Sequence, residues 1–126
     1  MVAFLVSEKI NINSHKGEYS VSFIRGNISQ LNSELTNNNF YIVDSNVASI
    51  YKNQLSRILN SKRVLLIDAT EENKSLDKFP FYIESLVNAK VRRGQNLVAI
   101  GGGIIQDITC FLATTMMRGL PWIFYP

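Results

Sequence analysis

"LVAIGGGIIQDITCFLATTMMRG", Leu97 to Gly119, sets three consecutive glycines between a short apolar run and a longer one. Glycine gives up more backbone entropy on folding than any other residue, so Gly101, Gly102 and Gly103 in a row demand a reason. Either a positive φ or a close approach to bare backbone supplies one. "LVAI" reads as a short buried strand, the glycines as its turn, and Ile104 to Met117 as the helix that follows. That helix is apolar on most sides, which predicts a central position under other elements. "WIFY", Trp122 to Tyr125, reads as one more strand.

The same alternation runs upstream. "FYIVD", Phe40 to Asp44, and "RVLLID", Arg63 to Asp68, are nearly continuous apolar runs that end on an aspartate, as buried parallel strands do. Between them Asn46 can cap a helix with Val47, Ile50, Tyr51, Gln54, Leu55 and Ile58 on one face. After the polar loop "ATEENKSLDK", Pro80 suits the first turn of a helix that buries Phe79, Ile83, Leu86, Val87 and Val91. Arg92 and Arg93 fit its last turn and Gly94 its carboxyl cap. Nearer the start, Asn27 can cap a short helix carrying Ile28, Leu31 and Leu35, ended by Thr36 to Asn39. Leu5 to Ile12 and Tyr19 to Ile24 are extended and joined by "NSHKGE", which predicts an N-terminal hairpin. Strands alternating with amphipathic helices imply an α/β domain with a mainly parallel sheet.

Composition bounds the rest. With 126 residues, 46% of them hydrophobic, the chain is long enough for one core and not two. A net charge of +3, with only Lys90, Arg92 and Arg93 clustered, gives no basic stripe for nucleic acid. No apolar run is long enough to span a bilayer, and no signal peptide opens the chain. The lone Cys110 can form no internal disulfide, so a reducing, cytoplasmic compartment is expected. The chain stops at "LPWIFYP", inside a strand and its exit turn, so a longer parent is expected.

A strand, then glycines, then a helix is where an α/β sheet takes phosphate, because the helix N-terminus offers free N–H groups and partial positive charge. The dinucleotide fingerprint G-x-G-x-x-G is met at Gly101 and Gly103 but not at Gln106. The acid that should follow about twenty residues later is absent there; Asp44 lies upstream instead. The plain alternative is a turn that only lets a helix pack on the sheet. Three features add to the ligand reading. Asp44 and Asp68 sit at strand ends, where parallel sheets bind ligands. Glu71 and Lys74 lie in the loop after the second strand. Asp107 stands one turn into an otherwise apolar helix, where burial without a partner would be costly.

"TEENKSL", "LVAIGGGIIQD" and "RGLPWIFYP" occur in that order. Together they resemble the N-terminal nucleotide-binding half of dehydroquinate synthase and its sugar-phosphate cyclase relatives, from about Asp44 to Pro126. The resemblance implies a Rossmann-like domain over residues 1–126, followed in the parent by a helical metal-binding domain absent from this chain. It implies NAD as cofactor, transiently oxidising a substrate hydroxyl to ease phosphate elimination before a carbocycle closes. Asp44 would hold the adenosine ribose, and Glu71 and Lys74 would lie along the cofactor. Gly102 and Gly103 would admit the pyrophosphate, Asp107 would serve the nicotinamide end, and Arg118 is taken as structural. The family's zinc or cobalt would be held by a glutamate and two histidines outside this chain, since His15 is its only histidine. The substrate would be a heptulose phosphate such as DAHP, and the parent a homodimer.

Thr70, Gln106 and Cys110 depart from the family's small residues and imply a divergent cyclase, for a secondary metabolite or a surface sugar. An iron- or glycerol-dehydrogenase-like alcohol dehydrogenase shares the architecture. A stand-alone nucleotide-binding module without catalysis is the third reading.

Overall fold

The computed structural model describes residues 5–126. Two antiparallel strands, β1 (Leu5–Ser14) and β2 (Gly17–Arg25), form the expected hairpin, but with a tighter turn in which only His15 and Lys16 are unpaired. The strands β3 (Asn39–Asp44), β4 (Val64–Ile67), β5 (Asn96–Ile100) and β6 (Trp122–Tyr125) form a separate parallel sheet in the order β4-β3-β5-β6. Adjacent pairs are in the registers Val43↔Leu66, Ile42↔Ala99 and Ala99↔Phe124.

Alternation along these strands sends residues to two cores. Phe40, Ile42, Leu97 and Ala99 face one side, with α3 (Phe79–Asn88) and α4 (Gly103–Thr115) packed over them. Tyr41, Val43, Val98 and Ile100 face the other, under the helical segment Ile28–Glu34 and the pair α1 (Ser45–Ile50) and α2 (Ser56–Leu59). Both faces of the inner strands are therefore apolar, which is why β3 and β5 read as unbroken hydrophobic runs.

The helices depart from their sequence pattern in instructive ways. Asn27 does cap Ile28–Glu34, accepting from Ser29 N at 3.0 Å, but the segment is a 3-10 helix. The helix expected over Val47 to Ile58 is split in two, and Asp44, not Asn46, caps its start. Asn32 causes the split. Its Nδ2 donates to Gln54 O at 2.6 Å and its Oδ1 accepts from Ile58 N at 3.3 Å, taking the two groups that would otherwise bond each other. A side chain inserted into the helical ladder bends it. Ala48, Leu55 and Ile58 are buried as a result, while Ile50, Tyr51 and Gln54 face solvent.

α3 ends at Asn88, before Arg92 and Arg93, and Gly94 is not its cap. Val91 N bonds to Leu86 O and Lys90 N to Val87 O, the paired bonds of a Schellman ending. Leu86 and Val91, buried together, supply its apolar contact, and Lys90 holds the left-handed position at φ 57°. Gly94, at φ +86°, serves the later turn into β5. Tyr82 joins Phe79 and Leu86 in the buried face, whereas Val87 is exposed. α4 is not covered all round: Ile105, Ile108, Thr109 and Leu112 are buried, but Cys110, Phe111 and Thr114 form an outer face.

The amino ends of the strands are held by Arg63. Its guanidinium donates to Asn39 O (2.7 Å), Ala89 O (3.0 Å) and Gln95 Oε1 (2.9 Å), and Asn96 Nδ2 donates to Asn39 Oδ1 (2.9 Å). Burial lowers the Arg63 pKa without discharging a group that ionises so far above neutrality. At the other end of the sheet Tyr125 OH donates to Glu34 Oε2 at 2.8 Å; burial, then this bond, raises the phenol well above its usual range.

The left-handed conformation costs a non-glycine residue roughly 1–2 kcal/mol, and glycine loses about 0.5–1 kcal/mol more entropy on folding. Lys90→Gly is accordingly expected to stabilise the chain by up to about 1 kcal/mol. Urea unfolding checks this; an unchanged or lowered midpoint would contradict the Schellman assignment.

Candidate functional site

The turn after β5 separates its three glycines by role. Gly101 has φ +149°, and a Cβ there would lie 2.9 Å from Asp44 Cβ and 3.0 Å from Ile105 Cγ1. Its bareness is required by the fold itself. Gly101 N donates to Tyr125 O (3.0 Å), and Gln106 Nε2 donates to Gly101 O (3.2 Å), so Gln106 braces the turn. Gly102 and Gly103 differ: a Cβ on either would meet nothing within 4 Å, and neither has a positive φ. Packing against the described residues does not account for them. Gly102 caps α4 without any side-chain bond, so no side chain satisfies the first N–H groups of that helix at its cap.

Asp44 lies against this turn at the end of β3. Its Oδ1 accepts from Asn46 N at 2.8 Å, which makes it the cap of α1 as well as a candidate ligand group. On the far side of β3 the loop after β4 is folded back on itself. Asp68 O accepts from Thr70 N and from Asn73 Nδ2, both at 2.8 Å, and Tyr82 OH donates to Asn73 O at 3.0 Å. These bonds hold the 3-10 turn Glu71–Lys74 beside α4.

Three of the residues singled out by sequence meet there. Lys74 Nζ lies 2.9 Å from Asp107 Oδ2 and 3.6 Å from Glu71 Oε2. The Lys74 side chain is 34% exposed and the two carboxylates are more open. The hydrogen bond to Asp107 raises the Lys74 pKa above the ordinary lysine value, with desolvation pulling the other way and Glu71 adding a smaller increase. Asp44, Gly102 and Gly103 form the other half of the arrangement, around the glycine turn, with no direct bond to the Lys74 group. All six sit at or just beyond the carboxyl ends of β3, β4 and β5, where parallel sheets take ligands. Sequence reasoning missed Tyr82, Asn73 and Gln106 as supports. Tyr82 could have been found, since it stands three residues after Phe79 and four before Leu86 on one helical face.

A raised folded pKa stabilises the protein fully below the unfolded lysine pKa, and that contribution is lost as pH rises through the folded value. The pair therefore leaves stability flat around neutrality. Asp107→Asn is expected to bring the Lys74 titration down toward the ordinary lysine value, followed by NMR of the Nζ-adjacent carbons. No downward movement would mean the pair is not formed in solution. A second contrast concerns the glycines. Gly101→Ala forces an overpacked, positive-φ alanine and should destabilise by about 1–3 kcal/mol or more. Gly102→Ala, at a cap position with room, should change stability by no more than about 0.5–1 kcal/mol. Thermal unfolding of both variants decides this; equal losses would refute the division of roles.

A sequence model of the family described as 3-dehydroquinate synthase N-terminal matches residues 64–126. The chain is 38% identical over 89 residues to a 3-dehydroquinate synthase of Latilactobacillus sakei subsp. sakei (strain 23K), covering 68% of this chain and 25% of that protein. It is 38% identical over 88 residues to one from Dichelobacter nodosus (strain VCS1703A), covering 68% and 24%. With a 3-dehydroquinate synthase of Clostridium kluyveri it shares 29% over 126 residues, 93% of this chain and 35% of the relative. The chain thus spans a quarter to about a third of the length of these curated relatives.

Proposed function

The chain belongs to the 3-dehydroquinate synthase family, and on that premise we propose that it is the NAD-binding portion of a sugar-phosphate cyclase. The reaction assigned to the parent enzyme is phosphate elimination from a heptulose phosphate, followed by closure of a carbocycle. The observation that carries this reading is the open backbone at Gly102 and Gly103, whose bareness none of the described residues requires. A cradle that a Cβ would fill, at the uncapped start of a helix, fits a pyrophosphate.

The proposal gives the remaining residues the following roles. Gly102, Gly103 and the first N–H groups of α4 receive the anionic centre of the cofactor. Asp44 spends one oxygen on Asn46 N and keeps the other for a ribose hydroxyl. Lys74 offsets charge between Glu71 and Asp107 and fixes the Asp107 carboxylate, which then accepts from the nicotinamide side. When bound, NAD supplies a reversible hydride acceptor for a substrate carbon. The zinc or cobalt of the family does not fit this chain: among the described residues no group of three His, Cys, Asp or Glu converges. His15 lies in the exposed hairpin turn. Its ligands are assigned to another part of the parent enzyme. The relatives' names favour the cyclase over an alcohol dehydrogenase, and a cytoplasmic location goes with the reading.

NAD titrated to millimolar concentration into the isotope-labelled chain is expected to shift the amide signals of Gly102, Gly103 and Asp107. Gly102→Ala should weaken binding by about tenfold or more with little change in unfolding temperature. Shifts that are absent, or that fall away from the glycine turn, would sink the proposal. The chain alone should release no phosphate from a heptulose phosphate, because the substrate-holding cations and metal are not among its groups; metal-dependent release would overturn that assignment.

A further inference from the structure

Gln106 stands where the dinucleotide fingerprint has its third glycine, and it makes two bonds into the glycine turn. Its backbone N donates to Gly102 O at 3.1 Å, and its side-chain Nε2 donates to Gly101 O at 3.2 Å. The first is an ordinary opening bond of α4. The second falls on a carbonyl that has no other partner among the described residues. Gly101 is buried, and a buried carbonyl left unpaired is costly. Exchanging the oxygen and nitrogen of the Gln106 amide would set two acceptors face to face, so the donor end must be the one that meets Gly101.

A trans peptide directs its C=O and its N–H in opposite directions. Holding Gly101 O on Gln106 therefore turns the Gly102 N–H away from that side chain. Gly102 is exposed, and its N–H has no acceptor among the described residues. The preceding peptide is anchored separately, since Gly101 N donates to Tyr125 O at 3.0 Å. The 101–102 peptide lies between two glycines, with no Cβ on either side to resist its rotation. Turning it over would carry Gly102 from φ −77° to a positive φ, which glycine accepts readily. Among the described residues, the Gln106 side chain supplies the one hydrogen bond that opposes this rotation.

We propose that Gln106 is a positioning residue, a lock on the 101–102 peptide that keeps the Gly102 N–H presented as a donor to an anionic ligand at the glycine turn. A glycine at position 106 has no side chain with which to hold that peptide. A donor already aimed need not be ordered when the ligand arrives, so the lock acts on affinity. Its consequence for binding rests on the nucleotide reading, whereas the lock itself is a property of the free chain.

NMR of the isotope-labelled chain tests the lock without ligand, with circular dichroism as the folding control. The wild type is expected to show one slowly exchanging side-chain amide proton on Gln106 and a single sharp Gly102 amide signal. Gln106→Met keeps the length and removes the donor, so it should broaden or double the Gly102 signal. Adding Gly102→Ala to that variant should restore a single signal, because alanine resists the positive φ of the turned peptide. A general loosening of the turn would not be repaired in this way. In titrations, Gln106→Met should raise the NAD dissociation constant by about tenfold. Gln106→Glu, which at neutral pH accepts and cannot donate, should raise it at least as much. Should Gln106→Met fail to fold, the exchange of the wild-type side chain and the Gln106→Glu variant decide. A fast-exchanging Gln106 amide in the wild type, or a Gly102 signal indifferent to Gln106→Met, would overturn the lock. So would a wild type that binds NAD no more tightly than Gln106→Met or Gln106→Glu. A wild type that ignores NAD while the free-chain signals behave as expected would leave the lock standing and overturn the nucleotide reading instead.

Discussion

At residue 101 the chain carries no side chain, and a methyl group there would press on Asp44 Cβ at 2.9 Å and on Ile105 Cγ1 at 3.0 Å. This one close approach joins three elements. It lets the end of β3 lie against the end of β5, and it lets α4 start immediately, with Ile105 buried at its first turn. Asp44, placed by the same contact, caps α1, so the helices on opposite faces of the sheet both begin from one junction. Gln106 closes the junction by donating to Gly101 O. Gln106 stands where the dinucleotide fingerprint has its third glycine, and here that position reinforces the turn through a side chain.

How much of this was legible depended on whether the signal was local. The four parallel strands were readable because both faces of β3 and β5 are buried, which writes continuous apolar runs into the sequence. The hairpin was readable from alternation. The split between α1 and α2 was not, because its cause is Asn32, more than twenty residues upstream, and periodicity carries no record of a side chain arriving from elsewhere. The end of α3 was misplaced for a related reason: a lysine occupies the left-handed position where glycine is the usual sign. The exposed side of α4 was misjudged because Cys110 and Phe111 count as apolar wherever they point, and the helix stops at Thr115, two residues before the expected Met117. At the site, residue types and order pointed to Glu71, Lys74 and Asp107, and the coordinates bring those three into contact. The differing roles of the three glycines could not be told apart in sequence, since identical residues differ only in what surrounds them.

The two ends of the sheet answer different demands. At the amino end every donor direction of Arg63 that bonds meets a neutral acceptor, so the cation is consumed in holding β3, α3 and the β5 turn together. At the carboxyl end the polar groups are more open, and the two glycines present backbone with no side chain above it. Rigidity at one end and accessibility at the other is the arrangement expected when loops carry the chemistry and strands position them.

Charge at that open end constrains what can sit where. Lys74 lies between two carboxylates, so the Glu71–Lys74–Asp107 group is negative in sum and repels an approaching phosphate. The start of α4 does the opposite, because its unpaired N–H groups and the helix dipole favour an anion. One uniform anion cannot satisfy both halves, since the charge that the helix start attracts is the charge that the acids exclude. A ligand that places its anionic part over Gly102 and Gly103 and its hydroxyl or amide donors toward Asp107 and Asp44 satisfies both at once. A dinucleotide, with pyrophosphate at its centre and hydrogen-bond donors at either end, has that distribution. The balance of acids and helix dipole is thus compatible with the ligand class proposed from the bare glycines.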